Sequence, residues 1–184
     1  SDQSCFDYLS NRNSGLFCLN KNNIFAIFRS NDYLCMGTMP IRLIHTADSH
    51  FGVEYYGFID QKTGLHSRLL DFKESFEYCI QYAIANDVDC FIFAGDAYKN
   101  NCPSPTHQRI LLKLFTPLIE AKIPIVIVIG NHDSPGNFSK AHSLDVFNHL
   151  NCERCYLFSK PGSIKIQTKS GPIQFVCVPW PSRS

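Results

Sequence analysis

From residue 41 onward, strand-sized apolar segments alternate with longer segments of helical period. The strand-like segments are 41–46, 88–94 and 123–129. The second of them is a nearly unbroken apolar run, typical of a strand covered on both faces in a parallel sheet. Between the strands, 67–86 has apolar residues at helical spacing, and a second helix begins at Pro105 with Ser104 as its N-cap. This alternation predicts an α/β layered fold, with β-sheets flanked by helices and right-handed crossovers.

The sequence after the third strand predicts shorter elements. A helix is expected over 138–150 and a strand over 154–159. Segments 163–169 and 172–179 flank Ser170-Gly171, a sequence typical of a hairpin turn.

Residues 1–38 follow no such pattern and are rich in asparagine and serine. We interpret them as an atypical N-terminal extension, disordered or non-native, before a natural start at Met39. The alternative is that they add peripheral strands to the sheet. Residues 39–184 then form the N-terminal part of the functional domain, which we expect to be truncated at its C-terminus.

Composition excludes several classes of protein. The 184 residues carry 17 basic and 16 acidic side chains, a net charge of +1, so a strongly basic nucleic-acid-binding surface is not expected. No apolar run approaches the ~20 residues that span a bilayer, so no membrane association is expected. Nine cysteines without a pairing framework, and no visible secretory signal, indicate a reducing compartment and a cytoplasmic location.

Each of the three main strands is followed by residue types that bind metals. The three motifs are Asp48-Ser49-His50, Gly95-Asp96 and Gly130-Asn131-His132-Asp133. In open α/β sheets, sites form at the carboxyl ends of the strands, so these motifs should converge on one edge although they are far apart in sequence. Each motif alone is also compatible with a turn or a helix cap.

The residue types suit a site for two cations. Asp48 and His50, two apart in an extended chain, can supply an oxygen and a nitrogen to one ion. Asp96 can bridge two ions with its two oxygens, and Asn131 can offer an amide oxygen to the second. His132 is then free to meet the substrate.

In this order, the motifs resemble those of the calcineurin-like metallophosphoesterases. The segments 44–52, 95–98 and 130–135 are similar in detail to the DNA-repair exonuclease branch, and most of all to the SbcD subunit of the bacterial SbcCD nuclease. The resemblance covers about residues 40–184. It implies a metal-dependent phosphodiesterase, a DNA exo/endonuclease in which metal-bound hydroxide attacks the DNA phosphodiester.

The resemblance also implies roles, cofactors and partners. Asp48 and His50 would bind the first metal, Asp96 would bridge, Asn131 would bind the second, and His132 would be catalytic. The cofactors would be two divalent ions, with Mn²⁺ favoured and Mg²⁺, Zn²⁺ or Fe as alternatives. The partners would be DNA and an SbcC-type ATPase subunit, and a homodimer is a further option.

The chain departs from the family pattern in ways that leave other functions open. We expect later histidine ligands of the family to be missing here, so the alternatives are a metallophosphatase acting on non-DNA phosphoesters and a non-catalytic fragment or scaffold. Lys99 stands where the branch usually has an acidic residue or histidine, and either contacts DNA phosphate or is simply solvated. Asp133 either orients His132 or caps the next segment.

A loop beside the first motif is rich in aromatic residues: Phe51, Tyr55, Tyr56 and Phe58. Such side chains stack on unpaired bases in proteins that bind single-stranded DNA. Packing in the core or against a second copy is the equally weighted alternative.

Overall fold

The computed structural model describes residues 40–135, 140–150 and 152–181 in full, and 16–20 and 23–29 at the level of backbone strands. Eight strands, two α-helices and one short 3₁₀ helix lie in these ranges. The strands are β1 Leu16–Asn20, β2 Asn23–Arg29, β3 Arg42–Thr46, β4 Cys90–Phe93, β5 Ile125–Val128, β6 Cys155–Phe158, β7 Gly162–Thr168 and β8 Gly171–Cys177. The helices are α1 Ser67–Ala85, α2 Pro105–Glu120 and the 3₁₀ helix Asp145–His149.

Strands β1 to β6 form one sheet in sequence order. The pairs from β3 to β6 are parallel, and β1 and β2 add two antiparallel strands at one edge. Helices α1 and α2 are the crossovers between the first three parallel strands. The predicted α/β architecture is confirmed, including the N-cap at Ser104, whose hydroxyl accepts the amide of His107 at 3.2 Å.

Strand β4 is covered on both faces, as the apolar run over 88–94 predicts. Phe91 and Phe93 belong to the core on the helical side, whereas Cys90 packs with residues of the β7–β8 hairpin on the opposite side. Successive side chains of a strand point to opposite faces, so one apolar strand serves two cores. The sheet is thereby held between a helical layer and a hairpin layer.

An aromatic cluster anchors the helical layer to the sheet edge that carries the metal-binding motifs. Phe76 of α1 lies 5.7 Å from Phe93, 5.5 Å from Phe115 and 6.2 Å from Phe51, measured between ring centroids. Phe51 directly follows His50 and is fully buried. The first motif is therefore fastened to the core by its neighbouring aromatic residue.

Two expectations about the C-terminal part are wrong in detail. The predicted helix over 138–150 is a single 3₁₀ helix, Asp145–His149, among the described residues of that segment. Its bonds are of the i to i+3 type, and before it the amide of Ser143 donates to the carbonyl of Asp133. The hairpin turn lies one residue earlier than expected, since Thr168 pairs with Gly171.

Parts of the proposed N-terminal extension do form strands. β1 and β2 come from within residues 1–38 and extend the sheet at the β3 edge. This corresponds to the alternative of peripheral strands. The domain boundary at residue 39 remains a prediction, because the other residues of this stretch lie outside the described part. None of the described helices has the length and apolar character needed to cross a membrane.

A buried carboxylate fastens the hairpin to the sheet. Asp89 is 2% exposed and accepts hydrogen bonds from the amides of Arg42 at 2.8 Å and Ser170 at 3.2 Å. Burial opposes its ionisation, but these hydrogen bonds outweigh burial and lower the pKa of Asp89 below its usual value of 3.8. The ionised form is therefore the one that the fold stabilises.

We expect Asp89→Asn to lower the free energy of unfolding by about 1–3 kcal/mol near neutral pH, because one accepting oxygen becomes a donor facing Ser170. A depressed pKa in the folded state contributes stability above the unfolded value and loses it as the pH falls through the folded value. The difference in the free energy of unfolding between wild type and Asp89→Asn should therefore become smaller below pH 3.8. Denaturant unfolding across this range measures it.

Asp87→Asn is the matched control, because this carboxylate lies in the same loop but is exposed and pairs with Lys169 at the surface. It should cost much less than Asp89→Asn. Equal losses of stability in the two variants would contradict the role assigned to Asp89. So would a difference in stability between Asp89→Asn and wild type that does not change with pH.

Candidate metal centre

The loops after β3 and β4 run side by side and are joined by main-chain hydrogen bonds. The amides of Asp48, His50 and Phe51 donate to the carbonyls of Gly95, Asp96 and Ala97 at 3.0, 2.9 and 2.8 Å. These bonds continue the parallel pairing of β3 with β4 beyond the strand ends. The first two predicted motifs are therefore brought together by the backbone itself, independently of any ion.

Three of the predicted ligands converge in space. Nε2 of His50 lies 3.5 Å from Oδ1 of Asp48 and 4.0 Å from Oδ2 of Asp96. Ligand atoms of all three residues lie within 4.8 Å of one another. Two ligands that share an ion at about 2.1 Å lie at most about 4.2 Å apart, so both measured distances suit a common cation. Two carboxylates and one imidazole also form a donor set that divalent transition metals accept.

All three residues of this cluster have left-handed backbone conformations. The φ angles are 57° at Asp48, 42° at His50 and 55° at Asp96. Such angles are uncommon outside glycine and cost of order 1–3 kcal/mol each. The fold sustains this strain at each of the three positions whose side chains converge, which supports a functional use of the cluster.

The third motif reaches the cluster through its glycine. A Cβ atom at Gly130 would overlap Oδ1 of Asp96 and would lie 2.5 Å from the Asp96 amide nitrogen. Only glycine therefore permits this approach. Asn131, the next residue, is exposed and lines a cavity together with Asp96. Its assignment to a second ion remains a prediction.

His132 is held at the edge of the cluster by two contacts. Its amide donates to Oδ1 of Asp96 at 2.9 Å, and its ring lies edge-on to His50 with the centroids 4.9 Å apart. Nδ1 lies 2.7 Å from the carbonyl oxygen of Lys99, which can only accept, so Nδ1 carries the proton in this bond. Nε2 is the nitrogen that remains for the cleft. The predicted position of His132 beside the ligands agrees with this geometry.

Asp133 contacts the segment that follows it, as one of the two interpretations expects, because the hydroxyl of Ser143 donates to its carbonyl oxygen and to Oδ1, each at 3.4 Å. Its carboxylate is fully buried and accepts hydrogen bonds from the amides of Asp96 at 2.7 Å, Ala97 at 3.0 Å and Gly130 at 3.0 Å. Burial raises the pKa of Asp133, and these amide bonds oppose that effect. Asp133 therefore ties the second and third motifs together, and the ring of His132 is oriented by Lys99 instead.

Asp48 and His50 of the cluster line an open cleft of about 750 Å³, whereas Asp96 lines the cavity that Asn131 lines. The residues that line the cleft are Asp48, His50, Val53, Tyr55, Tyr56, Arg68, Phe72, Lys99 and His132. Cationic and aromatic side chains thus share the cleft with the carboxylate of Asp48 and two imidazoles. Arg68 pairs with Asp71 at 3.1 Å, and Nζ of Lys99 lies 5.1 Å from the centroid of the Tyr55 ring.

The aromatic residues of the loop after the first motif are split between the core and the protein surface. Phe51 is buried in the core, whereas Tyr55, Tyr56 and Phe58 are 63%, 102% and 69% exposed. Two of the exposed rings line the cleft. Stacking surface for a substrate is therefore present at Tyr55 and Tyr56 and absent at Phe51.

The sequence argument missed two site contacts. One is the carbonyl of Lys99, since main-chain groups carry no residue-specific signal. The other is the set of hydrogen bonds by which Asp133 joins the second and third motifs. Its position gave a signal, because an aspartate directly after a turn of Gly-Asn-His is a common acceptor for backbone amides.

Comparison with known proteins places this site in a family. The model of the calcineurin-like phosphoesterase family matches residues 41–179, which include all three motifs. The chain is similar to proteins named DNA double-strand break repair protein Mre11. It is 34% identical to that of Halobacterium salinarum over 109 residues, 33% to that of Haloferax volcanii over 111, and 28% to that of Sulfurisphaera tokodaii over 120.

These alignments cover 59%, 59% and 65% of the chain, but only 26%, 22% and 29% of the respective relatives. The chain thus spans about a quarter of the length of the relatives that it matches. The similarity agrees with the resemblance to the DNA-repair exonuclease branch. Because the family model matches most of the chain, the protein belongs to the calcineurin-like phosphoesterase family.

Proposed function

We propose that the protein is a metal-dependent phosphodiesterase, the DNA exo/endonuclease subunit of an SbcCD-type repair complex. The observation that carries this proposal is the convergence of Asp48, His50 and Asp96, of which Asp48 and His50 line an open cleft. Lys99 and Tyr55 line the same cleft, a cation and an aromatic ring that suit a polyanion with bases.

The residues of the cluster fit two divalent cations. Mn²⁺ is the ion that the family resemblance favours, and mixed oxygen and nitrogen donors are compatible with it. Asp48 and His50 would hold the first, Asp96 would bridge, and Asn131 would hold the second. Bound ions would supply an activated water and would offset the charge of the phosphate. The remaining histidine ligands of the family would come from elsewhere in the protein.

His132 is the proposed catalytic residue of the chain itself. Its Nδ1–H bond to Lys99 and its amide bond to Asp96 fix the ring beside the ligands. Nε2 then faces the cleft, where, when it carries a proton as well, it would donate to a phosphate oxygen or give that proton to the leaving oxygen. Asp133 acts only through the backbone of the two loops that it joins.

The decisive experiment compares substrates and metals side by side. The purified full-length protein is incubated with single- and double-stranded DNA, a chromogenic phosphodiester and a phosphomonoester, with Mn²⁺ or with chelator. We expect cleavage of DNA that requires the metal. Robust DNA cleavage in chelator, or hydrolysis of the small phosphoesters in preference to DNA, would overturn the proposal and in the second case favour a phosphatase.

We further propose DNA, an SbcC-type ATPase subunit and, as a further option, a second copy of the chain as partners. The similarity to proteins named DNA double-strand break repair protein Mre11 supports a role in DNA repair. A cytoplasmic location is proposed as well, since the described cysteines at positions 79, 90, 102, 152, 155 and 177 are free. Co-purification with a tagged ATPase subunit tests the assembly.

A further inference from the structure

The backbone and the side chain of Lys99 contact different residues of the site. Its amide donates to the carbonyl of Phe51 at 3.0 Å, and its own carbonyl accepts from His132 at 2.7 Å. Both main-chain groups are thus fixed beside the candidate metal centre. The side chain leaves this anchored point and crosses toward the loop that carries Tyr55.

The ammonium group of Lys99 is positioned by an aromatic ring and not by a carboxylate. Nζ lies 5.1 Å from the ring centroid of Tyr55, within the range of a cation–π contact. In the fully described part of the chain, no carboxylate lies within ion-pair distance of this nitrogen. A lysine held in this way keeps its hydrogen-bond donors and its full charge for a ligand.

The location of this charge determines what it can recognise. Lys99 and Tyr55 line the same cleft as Asp48, His50 and His132. Without bound metal, the carboxylates of the cluster would repel the phosphates of a polyanionic substrate, and a cation in the same cleft would attract neighbouring phosphates. Tyr55 is 63% exposed and leaves part of its ring accessible to a base.

We propose that Lys99 is a phosphate-binding residue of this cleft, where its ammonium group, held against Tyr55, contacts a backbone phosphate next to the one that is cleaved. This inference rests on the proposed function, because it takes DNA as the substrate. It assigns to this chain's lysine a contact that determines affinity for a nucleic acid and not for a small phosphoester.

The test measures binding without turnover. A fluorescein-labelled single-stranded oligodeoxynucleotide is titrated in chelator with wild type, Lys99→Met, Lys99→Arg and Lys113→Met, at several salt concentrations. Lys113 is an exposed lysine of α2 outside the cleft and serves as the matched control. Lys99→Met should weaken binding roughly tenfold and reduce the slope of log affinity against log salt by about one.

Two further variants examine the aromatic support. Tyr55→Phe keeps the ring and should bind as wild type does, whereas Tyr55→Ala should weaken binding several-fold, since the ammonium group loses its anchor. Lys99→Arg should retain most of the affinity. An unchanged salt slope in Lys99→Met, or equal losses in Lys99→Met and Lys113→Met, would overturn the inference, because a merely structural role leaves the number of phosphate contacts unchanged.

Failure of the proposed function gives a different result. If the wild type hydrolyses the chromogenic phosphodiester but does not bind the oligonucleotide, the DNA substrate itself is wrong. If the wild type binds and cleaves DNA while Lys99→Met binds equally well, only the role of Lys99 is overturned.

Discussion

Asp96→Asn is expected to lower kcat by roughly a thousandfold, the order seen when one preorganised electrostatic contact to a transition state is removed. Asp96 contacts two other residues of the site. Its Oδ2 lies 4.0 Å from Nε2 of His50, and its Oδ1 accepts a hydrogen bond from the amide of His132. Asparagine has the same shape but no charge, and it replaces one oxygen by a donor. It should therefore remove the bridge between two cations without emptying the space.

The measurement has two parts, metal-dependent DNA cleavage and calorimetric titration with Mn²⁺. Both signals should be lost together, while the midpoint of thermal unfolding in chelator should stay near the wild-type value. Glu120→Gln makes the same chemical change at an exposed position at the end of α2 and should alter neither. Full metal affinity in Asp96→Asn would show that the cluster around Asp48 and His50 is not the cation site.

The sequence predicts the placement of the ligands more reliably than their conformation. Apolar runs identify the parallel strands, and the rule that sites form at carboxyl ends brings Asp48, His50 and Asp96 to one edge. The left-handed φ angles at these residues could not be predicted, because they arise from the pairing of two loops that are distant in sequence. Local patterns do not contain that pairing.

The errors have a similar origin. The segment 138–150 has apolar residues three apart, a spacing that suits either an α-helix or a 3₁₀ helix. Within this segment the amide of Ser143 donates to the carbonyl of Asp133. For Asp133 the sequence suggests only local roles, orienting His132 or capping the next segment, although its carboxylate reaches Asp96 and Ala97, 37 and 36 positions away. Contacts of this separation follow from the folded topology and not from a motif.

Gly95→Ala should be the most damaging substitution outside the ligands. Gly95 has a φ of 88°, and a Cβ atom there would lie 2.5 Å from the amide nitrogen and 2.7 Å from the Cα of Gly130. Backbone atoms of the facing loop cannot move aside as a flexible side chain can. The variant must therefore separate the loops that carry Asp96 and Asn131, losing both stability and the geometry of the site.

Gly64→Ala is the control that distinguishes the stability lost through backbone strain from the stability lost through steric overlap. Gly64 also has a positive φ, 69°, but nothing lies within 4 Å of the position that its Cβ would occupy. Both alanines pay the cost of a left-handed conformation, about 1–2 kcal/mol. At 2–4 °C per kcal/mol for a chain of this size, Gly64→Ala should lower the melting temperature by roughly 2–8 °C.

Gly95→Ala should exceed that loss clearly and should also abolish metal-dependent cleavage, whereas Gly64→Ala should keep it. Thermal unfolding in chelator and the cleavage assay measure the two effects separately. Gly95→Ala changes none of the candidate ligands. An inactive but folded variant would therefore show that the spacing of the two loops alone determines whether Asp96 is positioned for its role. Equal melting temperatures for the two variants would instead mean that the loops are not in contact, and the close approach of Gly95 to Gly130 would be wrong.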